Sequence, residues 1–297
     1  MAWRQSLDGP GPLATSADIV IPPGDRREVA QTLQHAGAIR LPDMFLFAAW
    51  WTRSAGPLHA GEFRFAAHSS LIEILNVLRH GAAVQHQVTI PEGLTGAQIA
   101  AILNAAPDAT GMVNPPPEAA VLPQTYDYVY GTKRSAILHR SEAALTRQLA
   151  AAWAGRDTSI PLATPAQALT LAAIVQQETP LAPELPKIAA VYENRLSQGM
   201  KLQADPTVIY AATNGARSGG IAITRSDLAN PSPYNTYVHP GLPPGPICAP
   251  GLAAINAVLH PANTRDLYFV ATGTGGHVFA KTFQQQLKNI AAYESRK

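Results

Sequence analysis

The sequence predicts an α+β protein, and three observations carry that prediction. The first is an internal repeat. Ile21-Pro22-Pro23-Gly24 is followed by Val29, Ala30 and Leu33, and Ile90-Pro91-Glu92-Gly93 by Ile99, Ala100 and Leu103. Each copy reads as a strand, a tight Pro/Gly turn and a short amphipathic helix. The second observation is helical spacing over 165–179 and 184–198. The third is a hairpin, with strands over 267–271 and 277–280 joined by Gly273-Thr274-Gly275-Gly276. Two copies are too few for a solenoid, so the repeat implies two small α+β units built alike.

The elements follow in order. Residues 1–16 are rich in Gly, Pro and Ser and read as a flexible lead-in. Residues 17–85 form a first small domain. Within it, Met44 to Trp51 is far shorter than the about 20 residues of a membrane span and reads as a core or interface helix. His59 to Phe65 alternates like a short strand, and Ser69-Ser70 caps a helix with Leu71, Ile74, Leu75 and Leu78 on one face. Residues 86–156 form the second unit and its connector: Asn114-Pro115-Pro116-Pro117 is stiff and extended, and Ser141 to Trp153 has helical spacing. The last domain, 157–297, opens with Thr164 as N-cap and Pro165 at the first helical position. Pro180 stops that helix, and Gly199 ends the next. The stretch 203–251 is polar, Pro/Gly-rich and weakly periodic. Its length makes it functional or disordered, and its aromatic and apolar content argues against disorder.

Composition narrows the function classes. Hydrophobic residues make up 46% of the chain and charged residues 14%, a balance that folds. A formal net charge of +2 leaves no electrostatic footprint for nucleic acid. The single cysteine, Cys248, has no internal disulfide partner and belongs to no zinc-ligand set. His239, His260 and His277 lack metal-ligand spacing, no G-x-S-x-G elbow is present, and the glycines at 273–276 lack the Lys-Ser/Thr ending of a phosphate loop. No secretory signal pattern opens the chain.

One carboxylate is out of place. Leu171, Ile174 and Val175 mark the apolar face of the 165–178 helix, and Glu178 falls on the same face. Burial there raises a carboxyl pKa, as a general acid near neutral pH requires. The bland alternative is a frayed helix end that lets Glu178 reach water. Downstream, Gln203-Ala204-Asp205-Pro206-Thr207 is either a ligand-facing loop or a helix start with Asp205 as N-cap and Pro206 behind it. Tyr234, Asn235 and Tyr237 combine phenols with an amide, suited to the apolar faces and hydroxyl rims of sugars; a packed surface loop reads equally well.

These stretches resemble the endolytic murein transglycosylases of the MltG (YceG-like) type. The resemblance rests on LAAIVQQETP, VYENRLSQGMKLQADPTVIYA, ITRSDLANPSPYNTYVHPGLPPGPICAPG and HPANTRDLYFVATGTGGHVF, with VTIPEGLTGAQIAAIL and EAAVLPQTYDY upstream. It implies LysM-like small units ahead of a mixed helical/β catalytic domain, and it places the catalytic acid/base at Glu178. Many relatives carry an acidic residue where this chain has Gln176, so in an active chain a carboxylate at 176 is dispensable. The implied reaction cuts the MurNAc–GlcNAc bond of peptidoglycan strands internally, leaves 1,6-anhydro-MurNAc ends and terminates nascent strands in cell-wall biogenesis. Gln203, Asp205, Thr207, Tyr234, Asn235 and Tyr237 are then the candidates for substrate binding. No metal or organic cofactor is expected, and penicillin-binding cell-wall synthases are expected partners. Relatives begin with a cytoplasmic tail and one membrane helix, so the resemblance makes this chain a soluble truncation of a single-pass inner-membrane protein with its catalytic part in the periplasm. The rival readings are a hydrolytic muramidase at the same site and a non-catalytic peptidoglycan-binding scaffold, which the small units and Gln176 favour.

Overall fold

The computed structural model of the chain describes residues 7–295. The first six residues of the expected lead-in lie outside them. The chain divides into two compact units, one made of Met1–Val88, Ala106–Gly111 and Asp127–Lys133, the other of Thr89–Ala105, Met112–Tyr126 and Arg134–Lys297.

In the first unit, β1 (Ala17–Ile21) pairs antiparallel with β2 (Gly61–Phe65), in a register that sets Ala17 opposite Phe65. Alternation points Ile19, Ile21, Phe63 and Phe65 into the core. Three helices close over that face: α1 (Arg26–His35), α2 (Pro42–Trp51) and α3 (Leu71–His80). The first and third start in capping boxes, Asp25 with Glu28 and Ser70 with Glu73. α2 buries Phe45, Ala48 and Ala49. Leu7 and Leu13 are buried in the same core, and Gly11 and Leu13 exchange backbone bonds with His68. Residues 7–16 are therefore packed rather than loose. Two buried leucines, at about 1.5–3 kcal/mol each, outweigh the freedom their Gly- and Pro-rich surroundings suggest.

The second strand–turn–helix copy has its strand in β3 (Gln85–Thr89), paired with β4 (Thr125–Val129), and its helix in α4 (Gly96–Ala105). α5 (Arg134–Ala154) starts ahead of the expected Ser141. α6 (Pro165–Glu178) is the centre of the second unit: Ala168, Leu171, Ala172, Ala173, Ile174 and Val175 have no exposed surface. α7 (Leu185–Ser197) and α10 (Leu252–Leu259) pack against it. Between those two, the stretch of weak periodicity holds α8 (Asp205–Ala212) and the single turn α9 (Arg225–Leu228). The hairpin of β5 (Tyr268–Ala271) and β6 (His277–Ala280) forms as expected, and α11 (Phe283–Glu294) follows it. α10 has no period to read because it is apolar almost all round; α11 carries Phe283, Leu287, Ile290 and Ala291 at helical spacing, a signal that sequence reasoning missed.

No described helix is long and apolar enough to cross a membrane.

Candidate active site

The site grows from the end of α6. Thr164 caps its start, accepting from Gln167 N–H at 3.2 Å, and Pro165 takes the first position. The helix ends where Thr179 turns extended ahead of Pro180. Two amides pin that end. Gly251 N–H donates to Gln176 Oε1 at 2.9 Å, and Gln177 Nε2 donates to the Gly93 carbonyl at 2.6 Å. Gln176 therefore has a structural duty that needs an acceptor and no charge.

Glu178 is half-buried and accepts a hydrogen bond from the phenol of Tyr192 on α7. Its carboxyl pKa is pushed up to about 7. Burial is the largest cause, and the charge of Asp205 adds to it; the Tyr192 hydrogen bond and the Arg195 charge oppose it. A position at a helix C-terminus works in the same direction as burial, because the macrodipole disfavours an anion there. Tyr192 is buried, and its own pKa stands well above that of a free phenol because of burial and the neighbouring Glu178 charge.

Arg195 lies one turn beyond Tyr192. It spends its donors on backbone: Nε to the Leu267 carbonyl at 2.6 Å and Nη1 to the Leu202 carbonyl at 2.7 Å, with the guanidinium over the Tyr268 ring. It thereby fixes the loop that carries Gln203. Gln203 is exposed and adopts φ +51°, a left-handed conformation that costs a non-glycine residue about 1 kcal/mol or more.

The helix start at Asp205 differs from the capping expectation. Ala204 occupies the N-cap with no side-chain bond, and Asp205 is the first helical residue. Its carboxylate instead accepts from the Tyr237 phenol at 2.6 Å, because the loop at 234–237 folds back over it. Burial and that carboxylate hold the Tyr237 pKa above the ordinary phenol value.

The remaining candidates split into two kinds. Thr207 and Asn235 have no exposed surface. Thr207 donates to the Ala204 carbonyl at 2.7 Å and sits 2.8 Å from Thr236 Oγ1, which accepts from Ala204 N–H. Asn235 Nδ2 donates to three carbonyls, those of Asp227, Leu228 and Asn230, while its Oδ1 accepts from Tyr237 N–H. Neither presents a face to a ligand, contrary to the expectation of sugar contacts; their polarity ties the backbone of the 203–207 and 227–237 segments. Tyr234 is half-buried, its ring 4.8 Å from that of Tyr210. Tyr210 in turn lies 3.5 Å from Glu118, a second carboxyl that burial pushes up to about 7 against a hydrogen bond from Gly96 N–H.

The structure thus brings Glu178, Asp205, Gln203 and Tyr237 into one region and adds Tyr192 and Arg195. Sequence reasoning missed both. Their signal was a phenol and a guanidinium one turn apart within the apolar run of α7, a pattern that also fits ordinary core packing. Among the described residues, no group of three or more His, Cys, Asp or Glu stands where it could hold a metal ion.

The model of the YceG-like family matches residues 19–292, almost the whole chain. The chain belongs to the YceG-like family. Relatives agree with this. An endolytic murein transglycosylase of Bacillus subtilis is 43% identical over 129 residues, a match that covers 43% of this chain and 35% of that protein. One from Streptococcus pneumoniae is 26% identical, over 93% of this chain and 58% of its own length. The chain thus covers less than two thirds of either relative. Among solved structures, a yceG-like protein from Listeria monocytogenes matches with a TM-score of 0.56 at 25% identity, over 92% of this chain and 98% of the other. The YceG-like fold and the acid at the end of α6 therefore occur together in this chain.

Proposed function

We propose that this chain is the catalytic part of a peptidoglycan lytic transglycosylase, with Glu178 as its single acid/base. The observation that carries this reading is a carboxyl at the end of a buried helix, held near pKa 7 with a phenol on one of its oxygens. Such a group is protonated often enough to donate and becomes basic enough afterwards to accept. The names of the relatives support the substrate class.

Tyr192 engages Oε1, which leaves Oε2 to carry the proton. Glu178 donates it to the glycosidic oxygen between N-acetylmuramic acid and N-acetylglucosamine, and the C1–O bond breaks. The acetamido carbonyl of the muramic residue stabilises the positive charge developing at C1. Glu178, now a carboxylate, takes the proton of the C6 hydroxyl as that oxygen bonds to C1. The product is a 1,6-anhydro end, water is not consumed, and Glu178 is left protonated for the next cycle. Ordinary glycosidases use a second carboxylate for water or for a covalent intermediate. Here Asp205 is engaged by Tyr237, and its charge favours the protonated form of Glu178. Gln203, Asp205, Tyr234 and Tyr237 line the sugars; Thr207 and Asn235 hold the loops that carry them. We place the intact protein at the cell wall, anchored in the inner membrane with this part in the periplasm, cutting nascent strands beside penicillin-binding synthases.

The test is digestion of purified sacculi by the wild-type chain and by Glu178→Gln, with mass spectrometry of the products. The expected result is wild-type termini one water lighter than hydrolysed ends, and none from the variant. Reducing termini identify a muramidase; binding without cleavage identifies a scaffold.

A further inference from the structure

We infer that Glu184 and His277 are positioning residues for Glu178, members of a ring of contacts that leaves the acid through its chain neighbour and returns through Tyr192. The inference rests on the acid role proposed above.

The ring is traced link by link. Thr179 follows Glu178, is buried, and donates from Oγ1 to Glu184 Oε2 at 3.2 Å while accepting from Leu181 N–H at 3.1 Å. Glu184 ends the short 3-10 turn Ala182–Glu184. Its carboxylate also takes both donors of His277, the backbone N–H at 2.8 Å on Oε1 and ring Nδ1 at 2.7 Å on Oε2. The two side chains are mostly buried, at 18% and 14% exposed, so water competes little for these bonds. His277 opens β6 and meets the Phe269 ring of β5 edge-on, 5.4 Å between centroids at 86°. Phe269 meets the Tyr192 ring edge-on at 5.8 Å and 89°. Both geometries are favoured arrangements for aromatic pairs. Tyr192 then donates to Glu178. Gly276 belongs to the same closure: a Cβ there would lie 3.0 Å from Glu184 Oε1, so the hairpin backbone approaches the carboxylate as closely as a side chain allows.

The consequence is mechanical. The hairpin presses Phe269 against Tyr192, and Glu184 fixes the hairpin to the residue next to the acid. The direction of the phenol, and therefore which oxygen of Glu178 is free, depends on a carboxylate that touches no substrate. A purely structural ion pair would hold the hairpin without affecting the acid.

The experiment uses the full chain as wild type, Glu184→Ala, Glu184→Gln and His277→Gln, with steady-state cleavage of peptidoglycan strands and a 13C-carboxyl NMR titration of Glu178 assigned against Glu178→Gln. Glu184→Ala is expected to lower kcat about tenfold with KM within about twofold, and His277→Gln to do the same more weakly. Glu184→Gln, whose amide oxygen replaces Oε1 for the His277 backbone N–H while its NH2 takes the Oε2 place and donates to Thr179 Oγ1, is expected to recover most of kcat. In Glu184→Ala the Glu178 titration should move up from near 7, because the misdirected phenol no longer lowers it. An unchanged kcat with an unchanged Glu178 titration overturns the inference, and so does a change confined to KM. If the wild type cuts no glycan, the proposed function fails on its own, while the titration still reads the coupling. Should Glu184→Ala not fold, Thr179→Val, which deletes a single link of the ring, takes its place with the same expectations.

Discussion

Replacing Glu178 by Gln should make the protein more stable at alkaline pH and leave it unchanged in acid. The carboxyl sits at about 7 in the folded chain against an ordinary value of 4.5. Because the folded value is the higher, the folded state holds an extra proton between those limits. Wild-type stability therefore falls, relative to a neutral isostere, as pH rises through that window. At ~1.36 kcal/mol per unit the loss approaches about 3 kcal/mol above pH 7. Water reaching the half-buried side chain screens part of it, so about 2 kcal/mol is expected in measurement. Gln keeps an acceptor for the Tyr192 phenol and carries no charge, so the variant isolates the ionisation. The assay is thermal or urea unfolding of both proteins at several pH values from 4 to 8. The two curves should coincide at pH 4 and separate by several degrees at pH 8. A separation independent of pH would refute the claim that burial holds the acid neutral.

Three further outcomes follow from the same geometry. Tyr192→Phe keeps the ring against Phe269 but deletes a hydrogen bond to a charged acceptor, worth about 1.5–3 kcal/mol. The alkaline limb of the pH–rate profile should move up by about one to two units. Asp205→Asn removes a charge that raises the Glu178 pKa, so the same limb should move down, by less than Tyr192→Phe moves it up. Asn235→Ala strips donors from three carbonyls in a site without solvent access, and a loss of about 3 kcal/mol should appear in the melting curve even where glycan binding is measured separately.

Most of the elements that carry a period were legible in the sequence, α11 being an exception. The repeated strand–turn–helix copies, the helix ending at Glu178 and the C-terminal hairpin each carry spacing that survives without tertiary context. α10 lies in the core against α6 and α7, and the apolar Ala253 on its exposed side blurred its stripe. Glu178 was legible as a candidate because a carboxylate on an apolar face is an anomaly. Its partners were not: a tyrosine and an arginine inside α7 break no local rule, and their bonds run to residues far along the chain. Asn235 and Thr207 were chosen for their polarity, the same property that lets them satisfy buried backbone. Composition does not distinguish an amide that faces a ligand from one that faces three carbonyls. Asp205 looked like a cap because Pro206 follows it, and only the fold-back of Tyr237 reveals its other employment.

α6 has almost no exposed face, and this governs the time axis of the site as well as its electrostatics. A helix enclosed by its neighbours cannot open alone, so its amides exchange with solvent only when the surrounding unit comes apart. The turns around Gln203 and from 213 to 230, held by side chains and short bends, can exchange through local excursions. Glu178 is therefore mounted on a slow clock, while the loops around Gln203 and from 213 to 230 run on faster ones. Under the proposed function, a long polymer can thread and release through such loops many times while the Glu178 carboxyl keeps its place.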